Sequence, residues 1–256
     1  MKNIRVFVER IYNCRVDIYT MKKVQIYGER CSGTNYLEDI IKINFDVDIT
    51  WQYGWKHFFG FQDEQLKNSD DTIFICIVRN LEDWINSFYR ERHHLILRGK
   101  INIPEQEQID EFLNKEFCSF SDNPDGTCNP FCEILEDRHI YTGERYKNIF
   151  ELRHTKIKWM LEDLPNKVKN CVFIKYEDLI SDFENTLSKI KDKGLKVKEN
   201  INFSLNTNRY MGNSNFTFVK KVNTLPSELI LTNPNLIPLY EKKLYNISPP
   251  PPSSSS

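Results

Sequence analysis

The feature that most constrains this chain is a short apolar strand followed directly by a glycine-bearing loop and a helix. The strand is Lys23-Val-Gln-Ile-Tyr27 and the loop is Gly28-Glu-Arg-Cys-Ser-Gly-Thr34, after which apolar residues at positions 37, 40, 41 and 43 recur near helical spacing. Glycines let successive backbone N–H groups point at one anion, and the helix adds its positive end. The unit predicts a phosphate-binding loop.

The same loop lacks the residues of nucleoside triphosphatases. Their loops carry Lys and then Ser or Thr after the second glycine, whereas Thr34 and Asn35 stand at those positions here. The lysine that would reach the β- and γ-phosphates is absent. We therefore expect phosphate binding without NTP hydrolysis, with an ordinary glycine-bearing strand-to-helix turn as the alternative.

Strands and helices alternate along the chain. Further strands are predicted at 47–51, Thr72–Val78 and Cys171–Lys175, and helices over 81–92, 145–164 and 178–191, with Asn80 as an N-cap. Such alternation is typical of an α/β fold with a doubly wound, mainly parallel sheet. Ligands bind such sheets at the carboxyl ends of the strands, where loops begin at Gly28, Arg79 and Tyr176.

The domain is predicted to span residues 21–247. Residues 1–20 are interpreted as an N-terminal extension or extra strand, and the Pro/Ser-rich tail 248–256 as disordered. Residues 98–145 carry prolines, glycines and three cysteines, and we interpret them as an irregular surface insertion with one helix near 105–117.

Composition excludes several classes of protein. The 256 residues are 40% hydrophobic and carry a net charge of −1, which is unlike a protein that coats nucleic acid. No apolar stretch approaches the ~18 residues of a membrane span. Seven cysteines, several inside apolar runs, are typical of free thiols in a reducing compartment. We expect a cytoplasmic protein without nucleic-acid or membrane partners, and its oligomeric state is left open.

The phosphate loop resembles that of a known enzyme family. Arg30-Cys-Ser-Gly-Thr-Asn-Tyr36 is similar to the 5′-phosphosulfate-binding loop of sulfotransferases, which use 3′-phosphoadenosine-5′-phosphosulfate (PAPS). The resemblance implies that the 5′-phosphate is cradled by Ser32, Gly33, Thr34 and Asn35, and that Tyr36 packs on the adenine. Many members carry lysine or arginine where this chain has Cys31, and Arg30 is the candidate to supply that cation.

Two further segments resemble the same family. Arg79 leaves a strand end and Ser87 follows eight residues later on a helix, which is similar to the family's 3′-phosphate motif. An arginine fork with a hydroxyl suits that phosphate. Val172-Phe-Ile-Lys-Tyr-Glu-Asp-Leu179 implies that Tyr176 lies beside the adenine. Arg209-Tyr-Met-Gly212 faintly resembles a later 3′-phosphate loop, and Lys220 and Lys221 compete for that role.

The candidate base and cation are adjacent. Histidine is the usual base near neutral pH, and His57 follows Lys56 in an aromatic loop. Small-molecule sulfotransferases have a similar lysine and histidine, but with one residue between them. The alternatives are a structural histidine at position 57, or His93, His94 or an acidic residue as the base.

We expect no metal. Cys118, Cys128, Cys132 and His139 have a spacing that fits no tight zinc module, so we interpret the insertion as shaping an acceptor site. The resemblance implies a sulfotransferase that moves a sulfuryl group from PAPS to a hydroxyl or amine on a small molecule or glycan. One alternative is a protein that binds PAPS or its desulfated product PAP but has impaired catalysis. The other is a phosphate-loop kinase.

Overall fold

A computed structural model describes residues 21–90, 105–124, 128–199, 203, 209–210, 213–214 and 239–245. Its strands are β1 (Lys23–Gly28), β2 (Asp48–Ile49), β3 (Thr72–Val78), β4 (Phe120–Asp122), β5 (Cys128–Glu133), β6 (Cys171–Lys175), β7 (Arg209–Tyr210) and β8 (Asn213–Ser214). The central sheet has the order β2-β1-β3-β6, and each of its strands runs parallel to its neighbours. Two antiparallel pairs, β4-β5 and β7-β8, stand apart from it.

Helices connect these strands. They are α1 (Thr34–Asn44), α2 (Asp63–Leu66), α3 (Leu81–Arg90), α4 (Glu105–Asn114), α5 (Ile149–Lys158), α6 (Leu164–Lys167), α7 (Tyr176–Ser181), α8 (Phe183–Lys191) and α9 (Leu239–Tyr245). A 3₁₀ turn covers Leu135–Asp137, and a π-helical turn over Trp159–Asp163 joins α5 to α6. None of the helices within the described ranges is long and apolar enough to cross a bilayer.

The central sheet is covered on both faces. Alternate side chains of a strand point to opposite sides, so Val24 and Ile26 of β1 pack with α1, α7 and α8. Tyr27 packs instead with Trp159 and with α5, α6 and α9. The predicted doubly wound parallel α/β fold is confirmed. The chain reverses its winding direction between β1 and β3, which is where ligands bind in such sheets.

Several boundaries differ from the sequence prediction. The observed β2 covers only two of the five residues expected. Helix α5 begins at Ile149 because the Asn148 side chain accepts bonds from the N–H groups of the first turn. The helix expected over 178–191 is divided into α7 and α8 at Asp182, whose φ of −133° and ψ of 53° are not helical. The predicted cap of α3 is confirmed, since Asn80 Oδ1 accepts from the Asp83 N–H at 2.9 Å.

Residues within 105–124 and 128–145 contribute to the core, whereas we expected a surface insertion over 98–145. Phe112 of α4 and Phe117 are buried against Phe88 of α3. The reason is that α4 is amphipathic and α3 presents it with an aromatic face. The predicted N-terminal extension and C-terminal tail lie outside the described residues, and the domain bounds stay a prediction.

Candidate active site

Three loops meet at the carboxyl edge of the sheet. They follow β1, β3 and β6, which end side by side because the strands are parallel. The Arg79 guanidinium lies 3.4 Å from the Cys31 carbonyl oxygen and 5.1 Å above the Tyr176 ring. The three motifs picked out in the sequence are therefore in contact with one another.

Both glycines of the phosphate loop are required by packing. Gly33 has a φ of +89°, and a Cβ placed there would lie 2.3 Å from Cδ2 of Tyr176. A Cβ at Gly28 would lie 2.7 Å from the Ile77 carbonyl oxygen. The sequence suggested glycines that let the backbone curl around an anion. The structure adds that Gly33 lets the segment at Tyr176 approach closely, and that Gly28 does the same for strand β3.

Replacing Gly33 with alanine is expected to destabilise the fold by about 2–4 kcal/mol, through backbone strain and overpacking against Tyr176. Gly143 is a matched control, since its φ is +73° but a Cβ there would meet nothing within 4 Å. Gly143→Ala should therefore lower the free energy of unfolding by the backbone strain alone, about 1–2 kcal/mol. Chemical denaturation measures both values, and equal losses would contradict the clash with Tyr176.

The loop presents donors that lack acceptors. Ser32 Oγ is buried and has no hydrogen-bond partner among the described residues. Gly33 occupies the N-cap of α1, so no side chain caps the helix, and its first turn holds no acidic residue. The first N–H groups of a helix have no partner within it. An anion seated here would satisfy groups that the described residues leave unsatisfied.

The remaining nucleotide candidates flank this cradle. Arg79 Nε is buried without a partner in the described part of the chain, while the far end of its guanidinium lies 3.9 Å from Asp83. Ser87 is partly buried on helix α3. The rings of Tyr36 and Tyr176 meet edge to face at 6.3 Å, and burial raises the pKa of both phenols. Both side chains therefore stay neutral.

Arg30 points away from this cradle. Its guanidinium donates to Asp137 at 2.7 Å and to Ser119 at 3.0 Å, and it lies over the Phe58 ring. Its backbone carbonyl accepts from the Trp84 indole at 2.8 Å. Action of Arg30 as the loop cation stays a prediction, and it requires the guanidinium to leave Asp137.

Asp137 is the centre of a buried charge cluster. Its carboxylate also accepts from Lys156 and Ser119. Burial alone would raise the pKa of Asp137, but the charges of Arg30 and Lys156 lower it to about 2. Lys156 donates in addition to the His57 carbonyl oxygen at 2.8 Å. The segment 105–145 is thereby tied both to the phosphate loop and to the loop that carries His57.

His57 is held in one tautomer by the phosphate loop. Its Nδ1 lies 2.8 Å from the Gly28 carbonyl oxygen, which can only accept, so Nδ1 carries the proton and Nε2 keeps a lone pair. Burial lowers the pKa of His57 well below its usual value, and the positive charge of Arg30 adds to the shift. The imidazole is therefore neutral at pH 7 and able to take a proton.

Lys56 turns to the start of α1 instead. Its ammonium donates to the Asn35 side chain and to Glu38 at 3.3 Å, and it lies 5.5 and 5.1 Å from the ring centres of Trp51 and Trp55. Burial lowers the pKa of Lys56, while Glu38 opposes that shift. The adjacent Lys56 and His57 thus both reach the phosphate-loop region, from different sides.

Sequence reasoning missed a second buried cluster around Arg153. Its guanidinium pairs with Glu29 at 2.8 Å and with Glu241, and it donates to the Arg79 carbonyl oxygen at 2.5 Å. Burial raises the pKa of Glu29 to about 7, against the positive charge of Arg153. The only local signal was the presence of Arg153 and Lys156 on an otherwise apolar side of a helix.

For the other candidates the described residues give no contact with this site. Arg209 begins the short strand β7, and its nucleotide-binding role stays a prediction. His93, His94, Lys220 and Lys221 lie outside the described residues. Within the described ranges no three His, Cys, Asp or Glu side chains are grouped as metal ligands, and Cys118 is buried whereas Cys132 is exposed.

Comparison with solved structures finds a structural likeness to a sulfotransferase. No protein-family model matches the chain, and no curated protein matches its sequence. The solved structure of mouse sulfotransferase SULT7A1 complexed with PAP matches over 70% of this chain and 61% of that chain, with 17% identity and a TM-score of 0.37. The match spans less than two thirds of the mouse chain, and a likeness at this level does not establish common function.

Proposed function

We propose that this chain is a sulfotransferase that moves a sulfuryl group from PAPS to a hydroxyl or amine and releases PAP. One observation carries the proposal: Ser32 Oγ and Arg79 Nε are buried without partners among the described residues, on loops that contact each other. Unsatisfied buried donors are costly. A ligand with a phosphate at each loop would satisfy both.

The surroundings suit a doubly phosphorylated nucleotide. The uncapped N-terminus of α1 and the Ser32 hydroxyl fit the 5′-phosphate, and the Arg79 fork fits the 3′-phosphate. The paired rings of Tyr36 and Tyr176 offer an aromatic surface for the purine. Ser87 on α3 and Arg209 on β7 are the further candidates for the 3′-phosphate.

The catalytic role falls to His57 with help from Lys56. Nε2 of His57 takes the proton of the acceptor as its oxygen or nitrogen bonds to sulfur. When bound, PAPS supplies the sulfuryl group, whose bond to the 5′-phosphate oxygen breaks in line with the attack. The Lys56 ammonium, held by Asn35 at the loop, lies where it can stabilise negative charge.

Two alternatives make different demands on the same residues. A phosphate-loop kinase needs a loop lysine to reach the β- and γ-phosphates, and Thr34 stands at that position. A binding protein with impaired catalysis would keep the cradle and lose turnover, and Cys31 in place of a loop cation is the feature that favours it.

Calorimetry with PAP against ATP, followed by an acceptor screen, separates the three functions. Tighter binding of ATP than of PAP would exclude the proposed function.

Arg79→Ala should weaken the binding of PAP by about 1.5–3 kcal/mol, the value of a charge-assisted hydrogen bond. Adenosine 5′-phosphosulfate should lose far less binding free energy, because it has no 3′-phosphate. Arg138→Ala is the matched control, since Arg138 pairs with Glu133 at 3.0 Å on the segment after β5. Calorimetry gives all the dissociation constants. An equal loss for both nucleotides would make Arg79 a structural residue.

A further inference from the structure

Through one face, helix α9 contacts residues that hold all three ligand loops in place. Glu241 and Tyr245 are four residues apart, so they lie on the same side of the helix. Glu241 is fully buried and Tyr245 is partly buried. Neither residue belongs to the three motifs described above.

Glu241 acts on the first two loops through Arg153. All three charged side chains of this cluster, Glu29, Arg153 and Glu241, are almost fully buried. Arg153 holds Glu29, which follows Gly28 in the phosphate loop, and donates to the backbone carbonyl of Arg79. A single guanidinium therefore fixes the distance between the phosphate loop and the backbone that carries the Arg79 side chain.

Tyr245 acts on the third loop and returns to the second. Its hydroxyl donates to Glu177 Oε2 at 3.1 Å, and burial raises the pKa of Tyr245, so the hydroxyl remains a donor. The other oxygen of Glu177 accepts from the N–H and the side-chain amide of Asn80, both at 2.8 Å. Lys175, at the end of β6, donates to the Leu244 carbonyl oxygen. The helix is thus bonded directly to both sequence neighbours of Tyr176, and through Glu177 to Asn80, the neighbour of Arg79.

These buried charges are better explained by alignment than by stability. Burying ion pairs costs desolvation that their attraction often fails to recover, whereas removing one partner leaves an uncompensated charge. One oxygen of Glu29 and one of Glu241 even lack partners among the described residues. A cluster of this kind yields little net stability but permits few geometries.

We propose that α9 is a positioning element that aligns the three ligand loops, with Glu241 and Tyr245 as its positioning residues. The inference rests on the proposed nucleotide site and goes beyond it. Neither side chain contacts the cradle formed by Ser32 and Gly33, so each acts through Arg153 or Glu177. Loss of either should misalign Arg79 with the phosphate loop while leaving the sheet in place.

The test compares Glu241→Gln and Tyr245→Phe with Lys243→Gln, an exposed position on the same helix. In the full-length protein, Glu241→Gln should raise the dissociation constant of PAP by about 2- to 30-fold, the range for residues that act through others. Adenosine 5′-phosphosulfate should be weakened less, so the preference for the 3′-phosphate falls. Tyr245→Phe should act in the same direction more weakly, and Lys243→Gln should match the wild type.

A purely structural role would weaken both nucleotides equally, and that result would overturn the proposal. Hydrogen exchange on the ligand-free protein provides an arm that needs no nucleotide. Glu241→Gln should speed amide exchange over residues 29–34 and at Asn80, whereas Lys243→Gln should not. Failure of the wild type to bind PAP would count against the proposed function alone. Unchanged exchange in these segments would count against the positioning role alone.

Discussion

Replacing His57 with alanine is expected to lower kcat by about 10²–10⁴-fold, the usual range for loss of a general base. The affinity for PAP should stay nearly unchanged, because the donors assigned to the nucleotide lie on the phosphate loop and on Arg79. Steady-state kinetics with an identified acceptor gives kcat, and calorimetry gives the affinity. His139→Ala is the matched control, since that imidazole contacts Thr155 and the Tyr146 ring.

The pH profile is a second test of the same residue. Burial lowers the pKa of His57 well below the usual value for histidine of about 6.5. The active base is the unprotonated form, which predominates above the pKa. For a hydroxyl acceptor the rate should therefore be flat through neutral pH and fall only as the pH drops below the usual histidine range. The alanine variant should lose this acidic limb.

Two results would remove His57 from the mechanism. One is near-normal kcat in the alanine variant with the right acceptor. The other is a wild-type rate that already falls when the pH is lowered to ~6.5, which would indicate a base with an unshifted pKa. Attention would then move to His93, His94 or an acidic side chain.

The positions of the three loops could be predicted from sequence because the rule behind them is local. An apolar run of five to seven residues followed by a helix identifies a parallel strand, and parallel strands bring their carboxyl ends to one edge. Thr72–Val78 and Cys171–Lys175 were placed correctly on that basis. The contact of Arg79 with Tyr176 follows directly from that topology.

The charge clusters below those loops could not be predicted in the same way. Arg30 and Asp137 are 107 residues apart in sequence, and Arg153 and Glu29 are 124 apart. No spacing rule links such pairs, since the contact depends on how the segment 105–145 and helix α5 pack. Arg30 was therefore interpreted from its neighbours in the loop, whereas its partner comes from a distant turn.

Backbone details also escaped the sequence patterns. Cys31 has a φ of +63°, a conformation unusual for residues other than glycine, asparagine and aspartate. Periodicity reports which face of a helix is apolar, but it does not report a single residue such as Asp182 that leaves helical geometry between two apolar helices.

Asp137→Ala is expected to destabilise the protein by about 3–5 kcal/mol at pH 7, because removal of one partner leaves buried charges uncompensated. Arg30 lies 2.7 Å from the carboxylate, Lys156 also donates to it, and Asp137 is fully buried. The measurement is chemical denaturation. Asp70→Ala is the control, since Asp70 forms an exposed pair with Lys169, and such pairs contribute about 0–1 kcal/mol.

The stability gap between wild type and Asp137→Ala should narrow in acid, and the direction of this change follows from the pKa. The pKa of Asp137 is about 2 in the folded protein, below the value of about 3.9 for an unfolded aspartate. The folded state therefore binds this proton less readily, and the stabilisation is complete above pH ~4 and lost as the pH falls towards 2. A loss no larger than that of Asp70→Ala at pH 7 would mean that Arg30 and Lys156 reach water or another acceptor once the carboxylate is gone. The phosphate loop would then be held mainly by Glu29 and the Trp84 indole, and the segment 105–145 would have no part in aligning it.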